Sequence, residues 1–240
     1  MAQVKMRVTL LRVTEDPEAL VALGAKMCTS DADTDALLES IARKDQTKLL
    51  HRVLDAGHMS VAEHVSFTFL VQGVSRALLA QLTRHRIASF SVQSQRYVAQ
   101  QEEFGYIVPP SIEDLGPEAV EDYKLQMQAM HRWYLGWIEK LGKAKAEDAR
   151  FVLPNACQTR LIVTMNAREL LHFFQLRCCG MAQWEIRRLA WKMLMAAKEA
   201  APAIFADAGP NCVSGKCKEA KPCGFGKVWQ GVTGKEEVVE

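Results

Sequence analysis

Residues 65–97 read VSFTFLVQGVSRALLAQLTRHRIASFSVQSQRY, and the pattern changes twice within them. Val65–Val71 alternates between two faces and is rich in strand-forming residues, which predicts a β-strand. Ser75 is a typical N-cap, so a helix is predicted from Arg76 to about His85. The small polar residues that follow are poor helix formers and predict extended structure. This succession of strand, helix and extended chain indicates an α+β, or mixed α/β, fold.

The rest of the chain adds two predicted strands and six predicted helices. The strands cover residues 5–13 and 159–165, and the helices cover about 17–27, 45–56, 118–141, 144–151, 167–177 and 182–205. Asp16 and Asn166 stand where N-caps are expected, and Pro17 suits a first helical position. Gly57 is expected to end the helix over 45–56. The elements follow no regular β–α–β rhythm, and no segment is repeated.

The long helix over 118–141 has apolar residues at alternating spacings of three and four. They are Val120, Tyr123, Met127, Met130, Tyr134, Trp137 and Leu141. This spacing places them in one stripe along the helix. The stripe fits packing in the protein core and equally fits packing on the same helix of a neighbouring subunit.

Length and composition suit a single globular domain with an appended tail. The chain has 240 residues, of which 49% are hydrophobic. We expect the domain to cover residues 1–208 and the tail, rich in Gly, Lys and Cys, to cover 209–240. The formal net charge of +2 is too small for bulk electrostatic binding. Neither nucleic acid nor membrane is therefore an expected partner.

The cysteines point to a reducing compartment. The chain has seven of them, without the spacing of a disulfide scaffold, and no secretory signal is visible at the N-terminus. No run approaches the roughly 18 apolar residues needed to cross a bilayer. We therefore expect a cytoplasmic protein with reduced thiols.

Two cysteine groups invite a chemical interpretation. Cys178 and Cys179 follow a predicted helix end without a neighbouring His or carboxylate, so we interpret them as small apolar fillers. Cys212, Cys217 and Cys223 have four and five intervening residues, and no fourth ligand is obvious. Structural zinc usually needs a closer pair and four ligands, so we predict free thiols and no metal site.

The polar run after the predicted helix has the composition of an anion site. Arg84, His85 and Arg86 stand at a helix end, where the helix dipole alone could explain cations. Ser94 and Arg96 follow in predicted extended structure, where alternation places both on one side. A hydroxyl and a guanidinium on one face can hold a phosphate. The residues thus favour a nucleotide site, while ordinary ion pairing remains the alternative for each arginine.

The same run carries a family resemblance. Arg84-His85-Arg86, seven residues and then Ser94 resembles the signature of the flavin-dependent thymidylate synthases. Four more blocks resemble that family in the same order. They are GHMSVAEH at 57–64 with FTF at 67–69, ARFVLP at 149–154, NAREL at 166–170, and LR at 176–177 with AQWEI at 182–186. Five ordered blocks over about 55–190 are far more specific than one motif.

The resemblance implies an activity, a fold and an assembly. Members of the family convert dUMP to dTMP, with 5,10-methylenetetrahydrofolate as the one-carbon donor and NADPH as the reductant acting through FAD. The implied fold is a central antiparallel or mixed sheet flanked by helices, with the catalytic domain over 1–208. The implied assembly is a homotetramer with active sites between subunits.

The resemblance also implies positions that contact FAD. They are Ser60, Glu63, His85, Arg86, Ile87, Asn166, Ala167, Arg168 and His172. His172 stands where some members carry Asn, and either side chain can donate a hydrogen bond. Ser91 and Val92 stand where members often have Asn and Glu, and Val92 has no side-chain donor or acceptor for the carboxylate contact that the family makes to the flavin from the neighbouring subunit.

A second set of positions is implied to bind dUMP. They are Gln81, Arg84, Ser94, Gln95, Arg96, Arg150 and Arg177. Arg84 and Arg96 suit the phosphate. Arg177 is the expected catalytic residue, because a guanidinium at the N3–O4 edge of uracil stabilises negative charge developing there. A serine nucleophile needs an adjacent base, so Ser94 is assigned to binding and not to attack, and no cysteine nucleophile is expected.

Two other functions also use an arginine-rich face. An RNA-binding module would favour aromatic residues interleaved with Lys and Arg, whereas these stretches carry Ser, Gln and Asn. A flavin reductase without a transferase step would not need both the Ser94 segment and the Arg150 and Arg177 pair. The thymidylate synthase interpretation explains more of the residues than either alternative does.

Overall fold

The computed structural model describes residues 2–42, 45–98, 104–215 and 217–224. It has the predicted α+β class, with a four-stranded antiparallel sheet flanked by helices. The strands are β1 (Arg7–Val13), β2 (Ser66–Ser75), β3 (Ala88–Val92) and β4 (Gln158–Asn166), in the sheet order β1-β2-β4-β3. In the part of the chain that is described, no helix has both the length and the apolar character needed to span a membrane.

Most predicted helices are present with nearly the predicted bounds. The long helices are α1 (Pro17–Met27), α2 (Thr34–Ala42), α3 (Thr47–Asp55), α6 (Pro117–Leu141), α8 (Ala167–Arg177) and α9 (Trp184–Ala200). The short helices are α4 (Arg76–Leu82), α5 (Pro110–Glu113), α7 (Ala146–Ala149), α10 (Pro202–Phe205) and α11 (Asn211–Ser214). Helix α2 was not predicted, although the Asp33 carboxylate accepts a hydrogen bond of 2.9 Å from the Ala36 amide at its start.

Two strands pass directly into helices through a capping residue. Ser75 ends β2, and its hydroxyl accepts a hydrogen bond of 3.1 Å from the Leu78 amide in α4. Asn166 ends β4, and its side-chain oxygen accepts one of 2.8 Å from the Glu169 amide in α8. Both predicted caps are therefore confirmed. Each satisfies an amide that the first helical turn would otherwise leave unpaired.

Asp16 occupies the predicted N-cap position of α1 and Pro17 begins the helix, but Asp16 makes no side-chain cap hydrogen bond. Its backbone is left-handed (φ 43°), and its carbonyl accepts the Leu20 amide at 3.0 Å. Two local predictions were wrong. Helix α4 ends at Leu82, so the Arg84-His85-Arg86 segment follows it outside the helix. The predicted helix over 182–205 is divided into α9 and α10, because Ala201 is extended (φ −149°) and precedes a proline.

Contacts divide the chain into two compact units, each described by itself. The first unit contains residues 1–7, 70–84 and 90–162. Its apolar cluster includes Phe104, Tyr106 and Met127, with the N-terminal half of α6 packed against it. The apolar stripe of α6 is therefore core up to Tyr134, which is 1% exposed. Its last two positions, Trp137 and Leu141, are exposed.

The second unit contains residues 8–69, 85–89 and 163–240. Its core holds aromatic rings in edge-to-face contact, which is a favoured geometry for such pairs. The rings of Phe67 and Phe205 lie 5.3 Å apart, and those of Phe174 and Phe205 lie 5.8 Å apart. These contacts fix α8 and α10 within the unit. Helix α8 carries several of the predicted site residues.

Candidate active site

One face of helix α8 holds a buried histidine in the second unit. Glu169, Phe173 and Arg177 are spaced by four residues and therefore share a face. His85, which is 5% exposed, lies against this face with its ring 4.9 Å from the ring of Phe173. The sequence supplied His85 and Arg177 as separate candidates, and the structure brings them together.

Hydrogen bonds join these residues in what we call the Glu169–His85–Arg177 network. Nδ1 of His85 lies 2.9 Å from Oε1 of Glu169, and Nε of Arg177 donates to Nε2 of His85 at 3.1 Å. Because a guanidinium N–H can only donate, Nε2 must accept. The proton of the ring therefore belongs on Nδ1, which donates to Glu169. The contacts assign one neutral tautomer.

Electrostatics favour the same neutral state. Burial lowers the pKa of His85, the hydrogen bond to Glu169 opposes that change, and the charge of Arg177 lowers the pKa further. His172 adds a smaller lowering effect. A protonated ring could not accept from Arg177, so the lowered pKa preserves the hydrogen bond that orients the guanidinium.

Glu169 was missed as a site residue. It follows the Asn166 cap by three residues, a spacing typical of a capping box, in which its carboxylate would turn back to the cap. Instead, the 7% exposed residue hydrogen-bonds to His85 from a distant part of the chain. No local pattern distinguishes Glu169 from an ordinary capping-box acid, because its partner His85 is 84 residues away in sequence.

The start of α8 brings together further predicted flavin positions. Arg168 forms an ion pair with Glu63, and both side chains are about half exposed. The Ala167 amide donates to the Val65 carbonyl at 2.8 Å. Together with the Asn166 cap, these contacts hold a cation and an acid at the helix N-terminus, where anions are also stabilised.

A cavity of about 720 Å³ opens beside this helix, within the second unit. Polar and charged side chains supply about half of its lining: His51, Asp55, Arg168, His172, Gln175, Asp207 and Asn211. Among the described residues, Nε2 of His51 is buried without a hydrogen-bond partner. The sequence did not predict His51, because nothing in its local pattern distinguishes it from a packed helix residue.

The remaining predicted flavin positions of the second unit are exposed. Ser60 lies in the 3₁₀ helix Met59–His64, and Arg86 and Ile87 precede β3. Ile87 is 66% exposed.

The predicted dUMP positions other than Arg177 belong to the first unit. Strand β3 ends at Val92, so the prediction that Ser94 and Arg96 lie on one side of a strand was wrong. The hydroxyl of Ser94 accepts a hydrogen bond of 3.1 Å from the Arg96 amide. Such side-chain-to-backbone bonds compete with strand pairing and turn the chain. Ser94 and Arg96 remain neighbours, but through a turn.

Glu147 holds two of these arginines. Nε of Arg96 donates to its carboxylate at 2.8 Å, and Nε of Arg150 donates to its backbone carbonyl at 3.0 Å. The side chains of Arg96 and Glu147 are 52% and 39% exposed. We call this contact the Arg96–Glu147 pair. Glu147 was not predicted as a site residue.

The other predicted positions in this unit lie on two elements. Gln95 directs its amide to the sulfur of Cys157 at 3.6 Å. Gln81 is half-buried near the end of α4, and Arg84 is exposed in the turn after it. The structure thus brings Ser94, Gln95, Arg96 and Arg150 into one region around β4 and α7.

Each unit holds a buried cysteine, Cys157 in the first and Cys178 in the second. Burial raises the pKa of Cys157 to about 11. Burial likewise raises the pKa of Cys178, whose backbone carbonyl accepts a hydrogen bond of 3.2 Å from Trp191. Both thiols therefore stay protonated at neutral pH. For Cys178 this agrees with its interpretation as an apolar filler.

Comparisons with known proteins agree with these motifs. The family described as thymidylate synthase complementing protein matches residues 9–203. A flavin-dependent thymidylate synthase of Geobacter sulfurreducens is 50% identical over 215 residues, covering 89% of this chain and 91% of the relative. One of Clostridium tetani is 45% identical over 233 residues, covering 91% and 93%.

An archaeal relative shows the same extent of similarity. The flavin-dependent thymidylate synthase of Pyrococcus furiosus is 42% identical over 222 residues, covering 89% of this chain and 90% of the relative. The matches extend over nearly the whole length of each partner and include the units that carry both groups of candidate residues. The chain is therefore a member of the flavin-dependent thymidylate synthase family, and an enzyme of the methyltransferase type.

Proposed function

We propose that this enzyme converts dUMP to dTMP, with 5,10-methylenetetrahydrofolate as one-carbon donor, NADPH as reductant and FAD as the flavin. Family membership supports the reaction class. The observation that carries the residue-level proposal is the Glu169–His85–Arg177 network, because it holds one guanidinium in a fixed orientation.

Arg177 is assigned to activate the uracil ring. Its Nε is engaged by a neutral histidine, which directs the guanidinium without neutralising it. A cation held at the N3–O4 edge of uracil would stabilise negative charge that develops as C5 takes up the one-carbon unit. Such preorganised donors act more strongly in the transition state than in the ground state.

The second unit has residues suited to FAD. A cavity of about 720 Å³ falls in the range of small-molecule sites. The buried, unpaired Nε2 of His51 could accept or donate a hydrogen bond there, and Arg168 could hold an anionic group. With Ser60, Glu63, His85, Arg86, Ile87, Asn166, Ala167 and His172, these residues form our assignment of the flavin site. When bound, FAD would supply the redox chemistry.

The first unit has residues suited to the phosphate of dUMP. Arg84, Arg96 and Arg150 supply positive charge, and Gln81, Ser94 and Gln95 supply hydrogen bonds. We propose that the phosphate takes the place of the Glu147 carboxylate on Arg96. A phosphate carries more charge and more acceptor oxygens than a carboxylate, so the exchange is favourable.

The overall reaction balances without a protein nucleophile. The uracil ring gains a methylene carbon from the folate and a hydride equivalent whose two electrons come from NADPH, and the ring loses the C5 proton. Tetrahydrofolate and NADP⁺ are released. Burial raises the pKa of Cys157 and Cys178, so these two thiols are poorly suited to act as nucleophiles.

We further propose that residues 1–208 act as one catalytic domain and that the enzyme is a homotetramer with active sites shared between subunits. The exposed Trp137 and Leu141 at the end of the α6 stripe are compatible with packing on a neighbouring subunit. Sedimentation of the full chain would measure the assembly.

The decisive experiment is dTMP formation from dUMP, methylenetetrahydrofolate and NADPH, with and without added FAD. We expect a yellow protein whose turnover requires all three substrates and rises on adding FAD to flavin-depleted enzyme. A protein that takes up no FAD, or makes no dTMP with all components present, would contradict the proposal. NADPH oxidation without dTMP would indicate a flavin reductase.

A further inference from the structure

The thiol of Cys157 contacts Gln95, one of the residues assigned to dUMP. Nε2 of Gln95 lies 3.6 Å from Sγ of Cys157, and the same sulfur lies 3.7 Å from the carbonyl oxygen of Gln158. A thiol is a weak donor and its sulfur a weak acceptor, so it can take part in both hydrogen bonds. Cys157 is fully buried, whereas Gln95 is half-buried. A buried thiol therefore holds a side chain that is partly open to solvent.

The backbone of Cys157 is fixed by three contacts within the first unit. Its amide donates to the Pro154 carbonyl at 3.0 Å, and its carbonyl accepts from the Arg76 amide at 3.0 Å, at the start of α4. Tyr106 forms an antiparallel bridge with Cys157. None of these contacts involves Gln95. The sulfur therefore occupies a position that the connection before β4 determines.

The segment that carries Gln95 passes beside the start of β4. The Gln93 amide, just after β3, donates to the Arg160 carbonyl of β4 at 3.0 Å. The hydrogen bond from the Arg96 amide to the Ser94 hydroxyl then turns the chain. A free glutamine side chain samples many rotamers, and binding through it loses that freedom. The contact with a fixed sulfur holds the Gln95 side chain before any ligand arrives.

The two contacts of the sulfur assign the orientation of the Gln95 amide. A thiol has one proton, and carbonyl oxygens can only accept. If Oε1 of Gln95 faced the sulfur, it would compete with the Gln158 carbonyl for that proton. With Nε2 facing the sulfur, both hydrogen bonds form. Burial raises the pKa of Cys157 to about 11, so the thiol keeps its proton at neutral pH. Oε1 therefore points away from the sulfur.

We propose that Cys157 is a positioning residue for dUMP: by holding Nε2 of Gln95, it presents Oε1 to accept a hydrogen bond from the 3′-hydroxyl of the nucleotide. The phosphate offers acceptor oxygens, and the N3–O4 edge of uracil is assigned to Arg177. The 3′-hydroxyl is then the remaining donor of dUMP. This inference rests on the proposed function, which includes Gln95 among the dUMP residues, and Cys157 acts through Gln95 without touching the substrate.

Calorimetric titration of the full, FAD-loaded chain with dUMP measures this role. Cys157→Ala should raise the Kd for dUMP about three- to tenfold, the effect of one modest hydrogen bond. Cys157→Ser keeps a group that donates and accepts, so its Kd should stay within about twofold of the wild type. Val108→Ala truncates another buried side chain of the same apolar cluster and should leave the Kd unchanged.

A double-mutant cycle separates positioning from a general loss of stability. In the Cys157→Ala background, Gln95→Ala should weaken dUMP binding much less than it does in the wild type, because the orientation of Gln95 is already lost. Additive effects of the two changes, or a Kd for Cys157→Ser as high as that for Cys157→Ala, would overturn the proposal. A wild type that binds no dUMP would overturn the proposed function itself.

An analogue identifies the group that Gln95 binds. The monophosphate of 2′,3′-dideoxyuridine lacks the 3′-hydroxyl, so the wild type and Cys157→Ala should bind it with equal affinity. A difference as large as that seen with dUMP would refute the assignment to the 3′-hydroxyl.

NMR of the substrate-free chain tests the sulfur contact without dUMP. The signals of the Gln95 side-chain amide, identified by their loss in Gln95→Ala, should shift in Cys157→Ser, where oxygen replaces sulfur as the acceptor. They should stay in place in Val108→Ala. This comparison remains decisive if Cys157→Ala does not fold. Signals that coincide in the wild type and Cys157→Ser would reject the contact, and the proposal with it.

Discussion

The two units hold an arginine in opposite ways. In the second unit, Nε of Arg177 donates to His85, which is 5% exposed and is held in turn by Glu169. In the first unit, Nε of Arg96 donates to Glu147, and the two side chains are 52% and 39% exposed. In both contacts the donor is the arginine Nε atom, but the burial and the charge of the acceptor differ.

That difference indicates what each arginine can do. A buried, neutral partner with its own hydrogen bond fixes direction and leaves the cation's charge intact. An exposed carboxylate is screened by water and exchanges readily for another anion. Arg177 is therefore suited to a transition state that needs one orientation, and Arg96 to a ligand that arrives and leaves.

Replacing Arg177 should give the largest effect. We expect Arg177→Ala to lower the rate of dTMP formation by about 10²–10³-fold, as for loss of one preorganised donor. Flavin absorbance should persist. Arg177→Lys keeps the charge but not the planar fork, so its rate of dTMP formation should lie between those of the wild type and Arg177→Ala. Arg12→Ala, an exposed arginine of β1, serves as control. Turnover of Arg177→Ala near the wild-type rate would remove its catalytic assignment.

Replacing Glu169, the buried hydrogen-bond partner of His85, should lower the stability of the fold. Glu169→Ala leaves Nδ1–H of His85 buried without its acceptor, so we expect the free energy of unfolding to fall by about 1–3 kcal/mol. Glu169→Gln keeps an acceptor oxygen and should cost less. Urea unfolding of both variants measures the difference. Equal losses would mean that the hydrogen bond to His85 is not what Glu169 contributes.

Replacing the exposed arginines of the first unit should weaken dUMP binding without lowering the stability of the fold. We expect Arg96→Ala and Arg84→Ala to weaken dUMP binding about tenfold each, the loss of a charge-assisted contact. Their melting temperatures should stay near that of the wild type, because exposed pairs add little stability. Calorimetric titration with dUMP measures the affinity. Unchanged affinity in both variants would contradict the phosphate assignment.

The pH dependence of stability should single out His85. Its native pKa is lowered by burial, so below about pH 6.5 the unfolded chain binds a proton that the native ring refuses. The free energy of unfolding should therefore fall with decreasing pH until the native pKa is passed, by at most about 1.4 kcal/mol per pH unit. His85→Gln should have the flatter profile. Parallel profiles for wild type and variant would refute the assignment.

Replacing Glu147, the exposed partner of Arg96, should give the smallest effect. Glu147→Gln removes the carboxylate that competes with phosphate for Arg96, so dUMP affinity should rise by roughly two- to fivefold. The gain should shrink as salt is added, because the competing pair is exposed. Glu121→Gln, which changes another exposed acid of the same unit, is the matched control. A decrease in affinity would mean that Glu147 assists binding.

The sequence predicted those parts of the site that local patterns encode. The Ser75 and Asn166 caps, strand β4, helix α8 and the Arg84–Arg86 motif all follow from neighbouring residues, and the structure confirms the caps and the elements. The fold class followed from the same patterns. The family blocks supplied the roles that no pattern of polarity could give.

What the sequence did not predict depends on contacts between distant residues. Glu169 looked like part of a helix start, but its partner is His85. Glu147 looked like an ordinary surface acid in a short helix, but it holds Arg96. The predicted extended structure at Ser94 was wrong for a different reason. The Ser94 hydroxyl accepts a hydrogen bond from the Arg96 amide, and this local contact turns the chain where alternation predicted a strand.

At Ser75 and Asn166 a strand passes into a helix without a loop, so the sheet fixes the position and the rotation of α4 and α8. Each helix residue turns by about 100° and advances about 1.5 Å. One residue inserted after Asn166 would thus move Glu169 and Arg177 off the face that meets His85, and one inserted within β4 would exchange its two faces. We conclude that these junctions tolerate substitution of exposed residues but no change of length.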